Sequence, residues 1–385
     1  MILAHKIQLD PNNFQRTYFA KACGVARFAY NWALAEWDRL YKLGEKVSEG
    51  ELRKRLNAIK RESFPWMLEV TKCAPQLSIM NLGTAFKNFF AGRAKYPIFK
   101  KKGQHDSFEI SNDQFKVKGS TIRIPGLGWV RMTEELRFVG KIIAATVSRT
   151  ADRWFVSIQV EMPERAPIHQ GKNQAVGVDL GVKNLATLSD GEYVEGPKPH
   201  TVLLKRLRRL NRSLSRKKKG SRNFTKATKR LARLHARISN IRKDALHKLT
   251  TDLTQNYSHI GIENLNVSGM TKNHRLARSI NDMGFFEFRR QLEYKSTITG
   301  SVIVVADSFY PSSKTCSACG HKIDELPLSV RLWTCPECQT EHDRDVNAAI
   351  NLKNMAVSST VTACGEMVQQ GRSVKQELNF ERTYE

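Results

Sequence analysis

The sequence predicts a multidomain α/β protein, on three observations. A chain of 385 residues with 41% hydrophobic content can bury one large core or two to three modest ones. Its apolar periodicity is helical up to about residue 102, alternates from there to about Glu164, and then mixes strands with helices. Two Cys-x2-Cys pairs late in the chain add a metal knuckle to that pattern.

The first residues, "ILAHKIQLDP", read as a short strand stopped by Pro11. From Phe14 to about Leu43 the apolar positions Phe14, Tyr18, Cys23, Ala26, Tyr30, Ala33, Trp37 and Leu40 recur every three to five residues, which marks an amphipathic helix. A second helix opens at "SEGE", where Ser48 and Glu51 have capping-box spacing ahead of Leu52, Leu56 and Ile59. A third runs from about Pro75 to Phe90 and is expected to bury Ile79, Leu82, Phe86 and Phe90. These helices define a small helical domain over 11–102. Residues 103–170 turn to β texture, with "STIRIPGLGWVRM" and "KIIAATVSRTADRWFVSIQVEM", and the initial strand (1–10) can close that sheet. The stretch "APIHQGKNQ" at 166–174 reads as a linker. After it, "AVGVDLGVKNLATLSDGEYVEG" reads as three strands with Asp190-Gly191 at a hairpin turn.

Charge narrows the class of partner. The formal charge is +26, from 63 Lys+Arg against 37 Asp+Glu, which favours a polyanion, nucleic acid first. A membrane surface is the rival polyanion. With no run of eighteen apolar residues, no signal peptide at "MILAHKIQLD" and no lipidation motif, the expectation is a soluble intracellular protein with no membrane partner. Residues 201–248 hold eighteen Lys+Arg and a single acid, Asp244. Leu203, Leu207, Leu210 and Leu214, then Leu231, Leu234, Ile238, Ile241 and Ala245, keep helical spacing on both sides of "KKKGSRN". A basic helical hairpin over 201–250 follows, with Arg208, Arg209, Lys217, Lys218, Lys219, Arg230 and Arg233 as candidate nucleic-acid contacts. A merely solvated helix face normally mixes signs to gain i,i+4 pairs, and this one does not. Beyond the hairpin come a strand "HIGIENL", a helix "FFEFRRQLEYKSTI", a strand "SVIVVADSFYP", the cysteine pairs, a final helix over 343–360 and a loose tail, 361–385.

Two clusters carry chemistry. Cys316, Cys319, Cys335 and Cys338 are spaced C-x2-C-x15-C-x2-C, whereas Cys23, Cys73 and Cys364 are scattered singly. Each pair sits on a tight turn, and four thiolates complete a tetrahedral Zn²⁺ site with no open position, so the zinc is expected to be structural. His342 is not needed as a ligand and is expected at the surface or facing substrate. The second cluster is three acids. Asp179 ends the strand in "GVDLG", where Gly181 permits close approach, and Glu263 ends the strand "HIGIENL". Asp345 shares a helix face with Ala348, Ala349 and Leu352, small enough to lie close on a sheet, while Asp343 falls before the first full turn and is expected to cap it. If the two strands are neighbours, the three carboxylates converge. A dry cluster of that kind needs divalent cations to offset like-charge repulsion, and a two-metal site can activate water for phosphodiester hydrolysis. This strand, acid and helix order matches the layout of the ribonuclease H-like fold.

"GVDLGVKNLATLSDG", "IGIENL", "QLEYK", "PSSKTCSACG", "RLWTCPEC" and "HDRDVNAAIN" closely resemble the TnpB (OrfB) proteins of insertion sequences, relatives of the type V CRISPR effectors. The resemblance extends through "AFKNFF", "LGWV" and the basic hairpin. It implies an RNA-guided DNA endonuclease of a transposable element, cytoplasmic and nucleoid-associated when bound, with guide RNA from the transposon end and double-stranded target DNA as partners. A monomer is favoured. The implied layout is a wedge β-barrel (1–10 and 103–170), a helical recognition domain, one RuvC-like nuclease domain (171–311 and 343–360) and an inserted zinc ribbon (312–342). Carried over by position, the Mg²⁺-binding catalytic acids are Asp179, Glu263 and Asp345. The short motif beside the target is expected near "KCAPQLS" and "FEISN", at Lys72, Gln76 and Ser111. Cys73 and Pro75 differ from the more usual residues there and leave the motif open. Independently, Asn81, Thr84 and Asn88 form a polar stripe suited to base edges or RNA. Two other classes compete: an RNA-guided DNA-binding repressor without cleavage, which the intact acid set disfavours, and a strand-transferring transposase, which the acid order and the absence of a His-x-His with a downstream Tyr disfavour.

Overall fold

The computed structural model describes residues 1–163, 173–327 and 329–369. Most of the expected linker at 166–174 and the tail from 370 onward lie outside them. The chain divides into two compact units: Met1–Arg165 with Thr228–Ala236, and Ala166–Ala227 with Arg237–Glu385.

The first unit opens on β1 (Ile2–Asp10), whose alternation buries His5, Ile7 and Leu9. Helix α1 (Asn13–Lys42) starts at a full capping box, in which Asn12 accepts from the Gln15 amide and the Gln15 side chain accepts from the Asn12 amide. Helix α2 (Glu49–Ser63) is capped by Ser48, but only half of the expected box forms, because Glu51 turns to the Arg55 guanidinium instead. Helix α3 (Cys73–Phe90) begins two residues before Pro75 and buries Ile79, Leu82 and Phe86. Phe90, expected inside, is 69% exposed, as is Phe14. Both stand at helix ends, where the last turn leaves the face that α1 and α3 share.

Strands β2 (Ser107–Ser111), β3 (Lys116–Lys118), β4 (Thr121–Ile124), β5 (Gly128–Met132), β6 (Lys141–Thr150) and β7 (Arg153–Glu161) join β1 in one sheet of order β2-β6-β7-β1-β5-β4-β3. All its pairings are antiparallel, and β1 sits between β7 and β5, so the first strand does complete the sheet. The two end strands, β2 and β3, do not pair with each other among the described residues. Helices and sheet are not separate cores here: Phe19 of α1 packs 6.0 Å from Phe108 and 5.1 Å from Trp154, ring to ring, within one continuous apolar cluster.

The second unit is built on β8 (Asn173–Asp179), β9 (Ala186–Leu188) and β10 (Tyr193–Val194). The Asp190-Gly191 turn forms as expected, with Gly191 at φ +92° and the Asp190 carboxylate accepting from the Glu192 amide. A short α4 (Pro199–Val202) leads into α5 (Leu204–Ser215) and α6 (Arg222–Asn256), the two basic helices, joined through Gly220 at φ +83°. Then come β11 (Tyr257–Ile262), α7 (Val267–Met270), α8 (Ala277–Met283), α9 (Phe285–Thr299) and β12 (Val302–Val305). The five strands order as β10-β9-β8-β11-β12, with β8, β11 and β12 parallel and β9 antiparallel to both its neighbours. Phe285, Phe288 and Leu292 of α9 and Leu246, Leu249 and Leu253 of α6 share one core with Val176, Val178, Ile260 and Ile262. A two-stranded ribbon, β13 (Leu332–Thr334) and β14 (Glu341–Asp343), precedes the last helix, α10 (Arg344–Gln369), which continues beyond the expected end at 360.

Candidate functional site

The acids are brought together by strand register. Strands β8 and β11 run parallel with Val178 opposite Ile262, so Asp179 and Glu263, one step further, leave the same end of the sheet side by side. Gly177 pairs with Gly261 one position behind Val178 and Ile262, and this glycine pair sets the depth of the third element. A Cβ on Gly177 would lie 1.8 Å from the Ala349 carbonyl oxygen, and one on Gly261 would lie 2.2 Å from that of Leu352. Helix α10 therefore rests backbone to backbone on the sheet, with Ala348, Ala349 and Leu352 buried as the sequence predicts. Its first turn carries Asp345 to the two strand ends. Asp343 is the cap: its Oδ1 accepts from the amides of Asp345 at 2.9 Å and Val346 at 3.0 Å.

Asp179 is half-buried, and its carboxyl is held well above the usual carboxylate range, first by burial and then by the charges of Glu263 and Asp345. Two further side chains hold the cluster. The Arg331 Nη1 donates to both oxygens of Asp345, at 2.7 and 3.0 Å, and the Ser312 hydroxyl donates to Glu263 Oε1 at 2.7 Å. Neither is visible to pattern reading, since each lies in a segment without periodicity. Three hard oxygen donors sharing excess negative charge fit a divalent cation such as Mg²⁺. The acids are more open than the cysteines, which are the one group among the described residues whose candidate ligand atoms all lie within 4.8 Å of one another.

The cysteine knuckles are twins. In each, the first cysteine's amide donates five residues ahead, Cys316 to His321 O at 2.8 Å and Cys335 to Thr340 O at 2.9 Å. Each turn closes through a residue in the left-handed region, Gly320 at φ +79° and Gln339 at φ +60°, whose amide donates back to the first cysteine's carbonyl. The sulfurs of Cys316 and Cys338, and of Cys319 and Cys335, stand 3.6 Å apart. Ligand sulfurs about 2.3 Å from a tetrahedral zinc are roughly 3.8 Å from one another, so the set fits Zn²⁺. The Thr340 hydroxyl lies 3.2 Å from the Cys338 sulfur. His342 corrects an expectation: it is buried, its ring 4.8 Å from Trp333 and its Nε2 3.0 Å from the Cys316 sulfur. Facing the knuckle on β14, it is neither at the surface nor toward a substrate.

In the first unit, Lys72 and Gln76 line one pocket with Pro75. Cys73 at the start of α3, next to Lys72 in the chain, lies 3.4 Å from the Ser111 hydroxyl at the end of β2, and Lys72 and Gln76 are exposed. Ser111 also donates to Asp113 Oδ1 at 2.5 Å. In the polar stripe, Asn81 donates to Glu109 and Thr84 to the Met80 carbonyl, and Asn88 is half-buried. Along the basic helices, Arg208, Arg209, Lys217, Lys218, Lys219 and Arg230 are exposed. Arg233 is not free: its guanidinium is bound to the Asp152 carboxylate within the first unit.

These features define a multidomain α/β protein carrying an acidic site and a four-cysteine ribbon, and its fold has a solved counterpart. The cryo-EM structure of a Cas12f1–sgRNA–target DNA complex superposes with a TM-score of 0.53 at 15% identity, over 87% of this chain and 81% of that one. In sequence, a family profile described as "Probable transposase" matches residues 157–274, and one described as "Cas12f1-like, TNB domain" matches 285–352. A third, described as "Helix-turn-helix domain", matches 1–46, a stretch that here forms β1 and the single unbroken helix α1. The protein named "Putative RNA-guided DNA endonuclease InsQ" of Escherichia coli (strain K12) is 38% identical over 97% of this chain and 96% of its own length. A protein of Streptomyces pristinaespiralis, named "Putative RNA-guided DNA endonuclease", is 37% identical over the same shares. The chain belongs to the TnpB (OrfB) family. No helix among the described residues is long and apolar enough to cross a membrane.

Proposed function

We propose that this protein is an RNA-guided DNA endonuclease that cuts double-stranded DNA beside a short adjacent motif, by metal-dependent phosphodiester hydrolysis at Asp179, Glu263 and Asp345. The observation that carries this reading is electrostatic. Three carboxylates meet at the C-terminal ends of two parallel strands, with Asp179 raised well above its ordinary range first by burial and then by the charges of the other two, an arrangement that a bound cation would relieve. The strand order supports an RNase H-like, RuvC-type domain: counted along the chain the five strands lie third, second, first, fourth, fifth, and only the second is reversed. The names of the relatives support RNA guidance and DNA as target.

Asp179, Glu263 and Asp345 would hold Mg²⁺, which when bound supplies water activation and charge stabilisation at the phosphate. The chain's own residues do the positioning. Asp179 and Glu263 are fixed by the register of β8 and β11, and Asp345 by the seat of α10 on the glycine pair. Arg331, held at Asp345, stands where a scissile phosphate would gain a cation's attraction. The exposed cations of α5, the 216–221 turn and α6 would take phosphates of the RNA or the heteroduplex. Lys72, Gln76 and Ser111 would read the adjacent motif, within a recognition and wedge region formed by 1–170. Zn²⁺ would be held by Cys316, Cys319, Cys335 and Cys338 as a structural ion.

The test is incubation of the purified protein–RNA complex with matched plasmid and Mg²⁺. Linear product is expected. Tight guided binding with intact plasmid would make the chain a repressor, and joined strands a transposase.

A further inference from the structure

The acid site and the ribbon are joined by a hydrogen-bond frame that runs from Glu263 through Ser312 to the first knuckle. Ser312 lies between β12 and the first knuckle, is 4% exposed, and gives its hydroxyl to Glu263 Oε1. The segment carrying it is fastened from the other side by two asparagines of α10, exposed only 1% at Asn347 and 5% at Asn351. Asn351 Nδ2 donates to the carbonyls of Ser312 at 2.8 Å and Thr315 at 2.7 Å. Asn347 Nδ2 donates to Thr315 O at 2.7 Å, and its Oδ1 accepts from the Ser317 amide at 2.9 Å, inside the first Cys-x2-Cys. Asn264, next to Glu263, donates to the Ser308 hydroxyl at 3.1 Å and fastens the start of the same segment.

This geometry has a chemical consequence for Glu263. A lone glutamate side chain at a strand end turns freely about its last torsion, whereas a carboxylate with one oxygen engaged by a buried hydroxyl has a fixed plane. The other oxygen then keeps a constant direction. We propose that Ser312 is a positioning residue for Glu263, and that Asn347 and Asn351 hold the segment that carries it, so the ribbon and the acid site share one frame. The inference rests on the acid-site reading above.

Mn²⁺ is the probe, titrated into the RNA-free full-length chain and followed by the electron paramagnetic resonance of the free ion. Ser312→Ala should weaken Mn²⁺ binding about tenfold, as loss of a hydrogen bond to a metal-ligating group does. Ser312→Thr, which keeps the hydroxyl, should stay within about threefold of wild type. Asn351→Ala, which frees the segment without touching Glu263, should give an intermediate loss. Zinc content, melting temperature and guided DNA binding should match wild type in Ser312→Ala, while the Mg²⁺ concentration needed for half-maximal cutting rises with the Mn²⁺ loss. Unchanged Mn²⁺ affinity in Ser312→Ala, or a loss that Thr does not restore, overturns the proposal. A fall in zinc content or melting temperature in step with Mn²⁺ makes Ser312 merely structural and overturns it too. Asp345→Ala is the control for the site itself: if it binds Mn²⁺ as wild type does, the acid-site reading falls, and this inference with it.

Discussion

The ribbon could hold a metal ion and the acid cluster is proposed to hold one, yet they are assembled by opposite means. The four cysteines come from two short turns, each closed by its own backbone hydrogen bonds, and their sulfurs already stand within 4.8 Å of one another. The three acids come from residues 179, 263 and 345, and are aligned by a strand register, a glycine pair and the seat of a helix. One site is local and near its liganded geometry. The other depends on the whole domain and keeps a carboxylate well outside its ordinary range. The contrast fits a structural ion in the first and an exchangeable, working ion in the second.

Variants at the two sites should therefore fail differently. The largest effect is expected for Asp345→Ala, which should reduce cleavage to background while guided DNA binding, measured by gel shift, stays intact. Cys335→Ser should remove zinc, read by atomic absorption, and lower stability and cleavage together, the latter at least tenfold. A zinc-free protein that stays folded and cuts normally would break the comparison from the ribbon side. Gly177→Ala should cost about 3 kcal/mol in chemical denaturation, because the new methyl meets the Ala349 carbonyl rather than a side chain that can move. It should depress cleavage while leaving zinc content unchanged, since each knuckle closes through its own backbone hydrogen bonds.

Asp179 sharpens the electrostatic half. Its folded value lies above the ordinary 3.8, so the stability linked to its proton is fully present below about pH 3.8 and is lost as pH rises through the raised folded value. In the metal-free protein at neutral pH, Asp179→Asn should therefore be more stable than wild type in chemical denaturation, and the difference should vanish in acid. Mg²⁺ should raise the melting temperature of wild type but not of this variant. The smallest effect is expected for Asp343→Ala, which loses the cap of α10, about 1 kcal/mol, and retains measurable cutting.

Much of both sites was legible in the sequence, for different physical reasons. The knuckles obey a local rule, so C-x2-C spacing was enough. The placements of Asp343 and Asp345 followed from helix periodicity, since only Asp345 shares a face with Ala348 and Ala349. Gly177 and Gly261 stand in plain view within "GVD" and "IGI", but their meaning depends on being opposite each other in a parallel pair. Arg331 and Ser312 were illegible because a loop residue's partner is set by the tertiary path of the chain. His342 was misplaced for a related reason: its burial comes from Trp333 across the small ribbon, which no periodicity encodes. The basic helices were legible as charge, yet Arg233 shows that a cation in a charge run can be consumed by a distant acid.

The central place of β1 has a bearing on how the protein is made. Ile7 pairs with Val156, 149 positions further along the chain, and β1 is flanked on its other side by β5. At a synthesis rate of about 5–20 residues per second, the strand emerges roughly 7 to 30 seconds before its main partner exists. During that interval α1, α2 and α3 can form from local contacts, but the sheet they pack on cannot close, and Ile7 has no strand beside it. Completion of the first unit is thus a late, long-range event on the ribosome, of the slow and aggregation-exposed kind. The unpaired first strand is the stretch a holding chaperone would be expected to shield until β7 arrives.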